Sequence, residues 1–114
     1  MDERLRRTER LTRQRDIDEV YRRGRRWSAK FFRLHVRENG GALSRFTVSI
    51  PRRLCDAVLR NRWKRLLRES FRKNKEAIGP GLDIVAVPTR PPAGLKRPQI
   101  EFVMVQLARK HRAP

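Results

Sequence analysis

The run DAVLRNRWKRLLRESFRKN, residues 56–74, decides how the rest of the chain is read. Leu59, Trp63, Leu66, Leu67, Ser70 and Phe71 recur at helical spacing and share one side of a helical wheel. Asn61, Lys64, Arg65, Arg68 and Arg72 fall on the other side, with Arg60 and Arg62 on the flanks. Asp56 suits the N-cap: its carboxylate can accept an orphan backbone N–H and lies at the positive end of the helix dipole. The spacing predicts one long helix from Asp56 to about Asn74, packed through one face and presenting guanidinium groups on the other. Like charges at such density repel one another unless a ligand neutralises them.

Upstream, residues 1–11 are basic with little apolar material and read as a mobile arm. Thr12 can cap a short helix over 13–23, with Ile17, Val20 and Tyr21 on one stripe and Gly24 at the C′ position. Over 30–37 the period changes to two. Phe32, Leu34 and Val36 take one face, and Phe31, Arg33, His35 and Arg37 take the other, as in a half-buried strand. Asn39-Gly40-Gly41 is a turn, and residues 45–50 repeat the alternation with Phe46, Val48 and Ile50 inward. An antiparallel hairpin is the expected result, closed by Pro51, which has no amide hydrogen for a ladder.

Downstream, Gly79-Pro80-Gly81 breaks the chain, and residues 82–87 read as a buried strand. Pro88, Pro91, Pro92 and Pro98 keep the next stretch irregular. Residues 100–110 hold enough β-branched and aromatic material for a strand. Phe102, Val103, Gln106, Leu107 and Lys110 also fit a helical stripe, and helix is the reading adopted. The chain is thus an α+β protein, a basic arm over 1–11 followed by one domain over 12–114.

At 114 residues it can bury a single core. Its 30 Lys and Arg against 12 Asp and Glu give a net charge of +18, a strong pull toward a polyanion. Nucleic acid is the first candidate and an anionic membrane surface the second. The apolar runs are too short for a spanning or secretory segment, and the lone Cys55 allows no internal disulfide, so a cytoplasmic protein is expected.

Chemistry by the chain itself has little to build on. His35, His111 and Cys55 do not make a Cys/His zinc set, and the scattered carboxylates do not suggest a two-metal nuclease. Asp16 and Glu19 resemble an ordinary surface pair. There is no Walker signature, Gly-rich phosphate loop or nucleophile elbow. The expectation is no catalytic residue, no metal and no cofactor held by the protein, with any catalysis supplied by a partner. The basic helix is the specific feature. Arg52, Arg53, Arg60, Asn61, Arg62, Lys64, Arg65 and Arg68 are the candidates for RNA docking, since guanidinium forks clamp phosphates and stack on bases.

Residues 57–69, with Arg60-Asn61-Arg62 at their centre, closely resemble the RNR signature of the bacterial ribonuclease P protein subunit. Flanking segments extend the likeness over most of the chain. Arg10-Leu11, Asp16-Ile17, Val20-Tyr21 and Gly24 resemble the family's first helix. Residues 31–36 and 45–49 resemble its first two strands, and residues 81–85 the strand after the long helix. The resemblance implies a small two-layer α/β sandwich, its mostly antiparallel sheet flanked by helices. It also implies a left-handed crossover at the long helix, where general rules favour the right hand.

It implies, further, the protein subunit of a ribonucleoprotein endonuclease that removes the 5′ leader of precursor transfer RNA, cleavage being performed by a large RNA with Mg2+. The expected partners are that RNA, in a 1:1 complex with monomeric protein, and precursor tRNA, with no membrane involved. The RNR helix would face the catalytic RNA. A cleft between the first helix and the open face of the sheet would hold the leader, here at Ile17, Tyr21, Phe31, Arg33, His35, Thr47 and Ser49. The chain departs from the family's usual residues at Ile17, commonly phenylalanine, and at Pro51-Arg52-Arg53, commonly Ser-Lys-Lys. Cys55-Asp56 stands where Gly-Asn is usual. A ribosomal-type structural RNA binder and a nonspecific nucleoid coat are the alternative classes, and a coat would need no fixed Arg-Asn-Arg order.

Overall fold

A computed structural model describes residues 5–113. Four helices and four strands follow one another as α1 (Gln14–Arg23), β1 (Arg25–Ser28), β2 (Phe32–Glu38), β3 (Arg45–Val48), α2 (Ala57–Lys73), α3 (Lys75–Ile78), β4 (Leu82–Pro88) and α4 (Arg97–Arg112). The sheet order is β1-β2-β4-β3, with β1–β2 and β2–β4 antiparallel and β3–β4 parallel.

The expected hairpin between β2 and β3 does not form, because β4 lies between them. Every residue of β4 is buried. A strand apolar on both faces is stable only in a sheet's interior, so it displaces the local pairing. The hairpin that does form is β1–β2, with Arg25 opposite Val36. Reading the sequence alone missed β1, whose four residues include two arginines and a single half-buried side chain, Trp27. Such charge is typical of an edge strand.

Alternation along β4 builds the two sides of the molecule. Leu82, Ile84 and Ala86 join the main core with Phe32, Leu34 and Val36 of β2, with Trp63, Leu67 and Phe71 of α2, and with Ile100, Met104 and Leu107 of α4. Val85 and Val87 point the other way, against Leu11, Ile17 and Val20. The two expected layers are therefore the sheet and the α2–α4 pair, and α1 covers part of the opposite face. Phe46 stacks on Phe71 with centroids 4.7 Å apart, tying β3 to α2. Trp63, fully buried, donates its indole N–H to the Arg90 carbonyl at 2.8 Å, which holds the proline-rich loop against the core.

Several local expectations change. α1 begins after Arg13 as its N-cap, with no side-chain cap, so Thr12 does not serve. Gly24 ends the helix in extended backbone (φ −80°) and not in the left-handed region. It must be glycine for space: a Cβ there would lie 2.4 Å from the Val20 carbonyl oxygen and 2.8 Å from that of Val36. Gly79 and Gly81 do take positive φ (87° and 80°) and turn the chain into β4. α4 is a helix as read, but its buried residues are Ile100, Met104, Leu107, Ala108 and His111, while Phe102 is 65% exposed. Of the expected stripe, Leu107 is buried and Val103 half-buried against the core, while Phe102, Gln106 and Lys110 face outward.

Residues 5–11 are docked, against the expected mobile arm. A 3-10 turn at Arg7–Glu9 buries Glu9, which pairs with Lys75 at 3.0 Å, and Leu11 is buried with its N–H on the Phe46 carbonyl at 3.0 Å. The few non-basic residues of the segment supply the anchors that its composition hid. Residues 1–4 of the arm lie outside the described residues.

Candidate nucleic-acid interface

The long helix forms as its sequence dictates. Asp56 accepts the Leu59 N–H at 3.0 Å. Trp63, Leu67, Ser70 and Phe71 point inward, and Ser70 satisfies its hydroxyl on the Leu66 carbonyl at 2.7 Å. Asn61, Arg62, Arg65 and Arg68 are exposed and Lys64 half-buried. Arg52 and Arg53 are exposed in the turn just ahead. Arg72, expected outward, is mostly buried and paired with Glu69.

Two of the exposed-face arginines are not simply solvated. Arg60 donates to the Ile50 and Pro51 carbonyls at 3.3 and 3.4 Å, and Arg62 donates to the Leu95 carbonyl at 3.2 Å. They fasten the loops on either side of Asn61 and keep further N–H groups for a ligand. Val58, 75% exposed, and Leu66 line a shallow groove with Asn61, Arg62 and Arg65. Apolar surface beside guanidinium planes suits an unpaired base as well as a phosphate.

The second candidate surface lies on the α1 side of the sheet. Tyr21 meets His35 edge-on with centroids 4.6 Å apart, and Arg33 Nε donates to His35 Nε2 at 3.0 Å. Accepting there places the imidazole proton on Nδ1 and leaves the ring neutral. Burial, together with the charges of Arg33 and Arg26, lowers the His35 pKa and reinforces that state. Ile17 is half-buried against Val85 and Val87. Thr47 stands opposite Val85 in the β3–β4 register, and Ser49 is exposed just beyond it. Phe31 belongs to another group: it packs on the main core, with Lys30 and Arg90 near its ring at 5.4 and 6.0 Å. The structure thus joins Tyr21, Arg33 and His35, places Ile17 and Thr47 beside Val85, and sets Phe31 apart.

Two networks escaped the sequence reading. Asp83, buried in β4, receives both Arg45 Nε (2.8 Å) and Nη2 (2.6 Å), as well as Asn39 Nδ2 (2.8 Å). His111, buried at the end of α4, accepts from Trp27 Nε1 at 3.0 Å and bonds Glu38 through Nε2 at 2.8 Å. Their members are up to 84 residues apart, so no local pattern could announce them. Among the described residues no group of three or more His, Cys, Asp or Glu could hold a metal ion. No described helix is long and apolar enough to cross a membrane.

A compact α+β domain that shields one face of a basic helix and offers its guanidinium groups on the other has the build of a nucleic-acid-binding protein. The family model described as Ribonuclease P matches residues 5–112, and the chain belongs to that family. The ribonuclease P protein component of Oleidesulfovibrio alaskensis is 42% identical over 88 residues, covering 75% of this chain and 70% of its own. That of Lachnoclostridium phytofermentans is 30% identical over 105 residues, covering 92% and 90%. The solved RNase P protein from Thermotoga maritima superposes with a TM-score of 0.79 at 30% identity, over 89% of this chain and 96% of that one.

Proposed function

We propose that this chain is the protein subunit of ribonuclease P, docking the RNA subunit on the outer face of α2 and the 5′ leader of precursor tRNA on the α1 side of the sheet. The observation that carries the reading is the exposed row Asn61, Arg62, Arg65 and Arg68 above a buried Trp63, Leu67 and Phe71. Arg52, Arg53, Arg60 and Lys64 extend the row. On the second face Tyr21, Arg33 and His35, with Ile17, Thr47 and Ser49 nearby, offer ring, cation and hydrogen-bonding groups to a single strand. Phosphodiester cleavage is the work of the RNA and its Mg2+. The protein contributes affinity and counter-charge, in the cytoplasm, as a monomer in a 1:1 complex.

The test is reconstitution. Added to the ribonuclease P RNA at limiting Mg2+, the protein is expected to raise cleavage of a precursor with a leader of several nucleotides, and to raise it less for a one-nucleotide leader. An unchanged rate on the long-leader substrate would remove the assignment.

A further inference from the structure

The docked N-terminal segment creates a cleft that the helix alone does not have. Leu5, Arg10, Arg68, Glu69 and Arg72 line a cavity of about 230 Å³ between that segment and the outer face of α2. We propose that this cleft binds one backbone phosphate of an RNA, gripped by Arg10 from one side and Arg68 from the other. The proposal rests on α2 being the RNA-docking face and extends that face to the N-terminal segment.

Three observations support it. The first is rigidity. Arg10 forms a bridge with Phe46, whose ring stacks on Phe71, one helical turn beyond Arg68. Glu9, buried and paired with Lys75, pins the segment from its other side. Both arginine backbones therefore belong to one frame, although 58 residues separate them in sequence (68 − 10). The second is charge. Arg10 and Arg68 are exposed, and neither has an acidic partner among the described residues. Glu69 lines the cavity but is engaged by Arg72, with Lys73 and Arg97 adding to the counter-charge that keeps it ionised. Two uncompensated guanidinium groups remain, facing an anion-sized space. The third is size. The cavity is smaller than the roughly 300–1,000 Å³ of sites that enclose whole small molecules. A phosphate fits, with its ester arms leaving through the open side, and Leu5 supplies an apolar wall.

Binding of the ribonuclease P RNA by the full chain, measured across a range of salt, tests this with Arg10→Ala, Arg68→Ala and the double variant. Each single change is expected to weaken binding about tenfold, the scale of a charge-assisted hydrogen bond, and the double change by little more, because one phosphate is shared. The slope of log affinity against log salt should fall by roughly 0.7–0.9 in all three, the loss of one phosphate contact. Inorganic phosphate should raise the thermal midpoint of the native chain more than that of the double variant. A double variant weakened by the product of the single effects would mean two separate contacts and would overturn the shared site. Loss of the phosphate effect with RNA affinity unchanged would make this a free-anion site and overturn the RNA assignment. If both arginines proved silent toward RNA while Arg65→Ala weakened binding, the cleft would be excluded and the helix face retained. If Arg65→Ala were silent too, the docking face itself would be wrong.

Discussion

At the scale of single residues, the arginines of α2 divide by what they touch. Arg65 is exposed and makes no bond to another side chain or backbone carbonyl among the described residues, whereas Arg60 holds the Ile50 and Pro51 carbonyls. Arg65→Ala is therefore expected to weaken RNA binding about tenfold with an unchanged thermal midpoint. Arg60→Ala is expected to lower both, by about 1 kcal/mol in stability for the released carbonyls. Filter binding and calorimetry on the two variants decide it, and equal stability losses would refute the division. His35 gives a pH signature. Its folded pKa is lowered below the unfolded value of about 6.5, so the unfolded chain takes up the proton more readily. The stability tied to neutral His35 is complete above that pH and is lost as pH falls through it. Thermal midpoints between pH 7.5 and 5.5 should drop further for the native chain than for His35→Gln, whose amide can still accept from Arg33 but does not titrate. Parallel curves would show that burial and the Arg33 and Arg26 charges do not hold His35 neutral in the folded chain.

At the scale of elements, helices were legible where the apolar period was strong and capped. α2 is the clear case: Asp56 caps it, Trp63, Leu67, Ser70 and Phe71 point inward and Arg65 and Arg68 outward as the sequence suggests, while Arg72 turns in to Glu69 and Leu66 is only half-buried, lining the outer groove. α4 was legible as a helix but not in phase. Phe102 and Leu107 look equivalent in sequence, yet Phe102 is exposed and Leu107 buried, because α4 must present Ile100, Met104 and Leu107 to α2 and the sheet. Leu107→Ala should cost about 2–5 kcal/mol by cavity formation, while Phe102→Ser should change stability by less than about 0.5 kcal/mol. Urea unfolding of both variants tests the phase, and comparably large costs at the two positions would restore the sequence reading. Strands fared less well. β2 and β4 were clear from their burial patterns, but β1 is too polar to stand out, and pairing partners cannot be read from a strand's own composition. β3 joins β4 and not β2 because burial of both faces of β4 outweighs the shorter loop of a local hairpin.

For the whole molecule, charge is the governing quantity. A net charge of +18 on 114 residues makes the free fold repel itself and makes its complex with RNA sensitive to ions. Two opposite salt responses are expected: added salt stabilises the free protein against heat and weakens the RNA complex. If the α2 face engages about four phosphates, the logarithmic salt slope should be roughly −3 to −4. A slope near zero would indicate binding dominated by base contacts. The basic balance, the capped helix with Arg60-Asn61-Arg62 on its outer side, and the apolar alternation of β2 were all determined by the sequence, because each depends on neighbours within a few turns. The basic face proposed to dock RNA was therefore readable from the sequence alone. Only the tertiary structure decided that β4 separates β2 from β3, that residues 5–11 dock beside α2, and that Arg10 meets Arg68 across one cleft. It also decided that Asp83 and His111 find their partners in distant segments. Those outcomes depend on which surfaces must be buried together, a competition over the whole chain that no local pattern records.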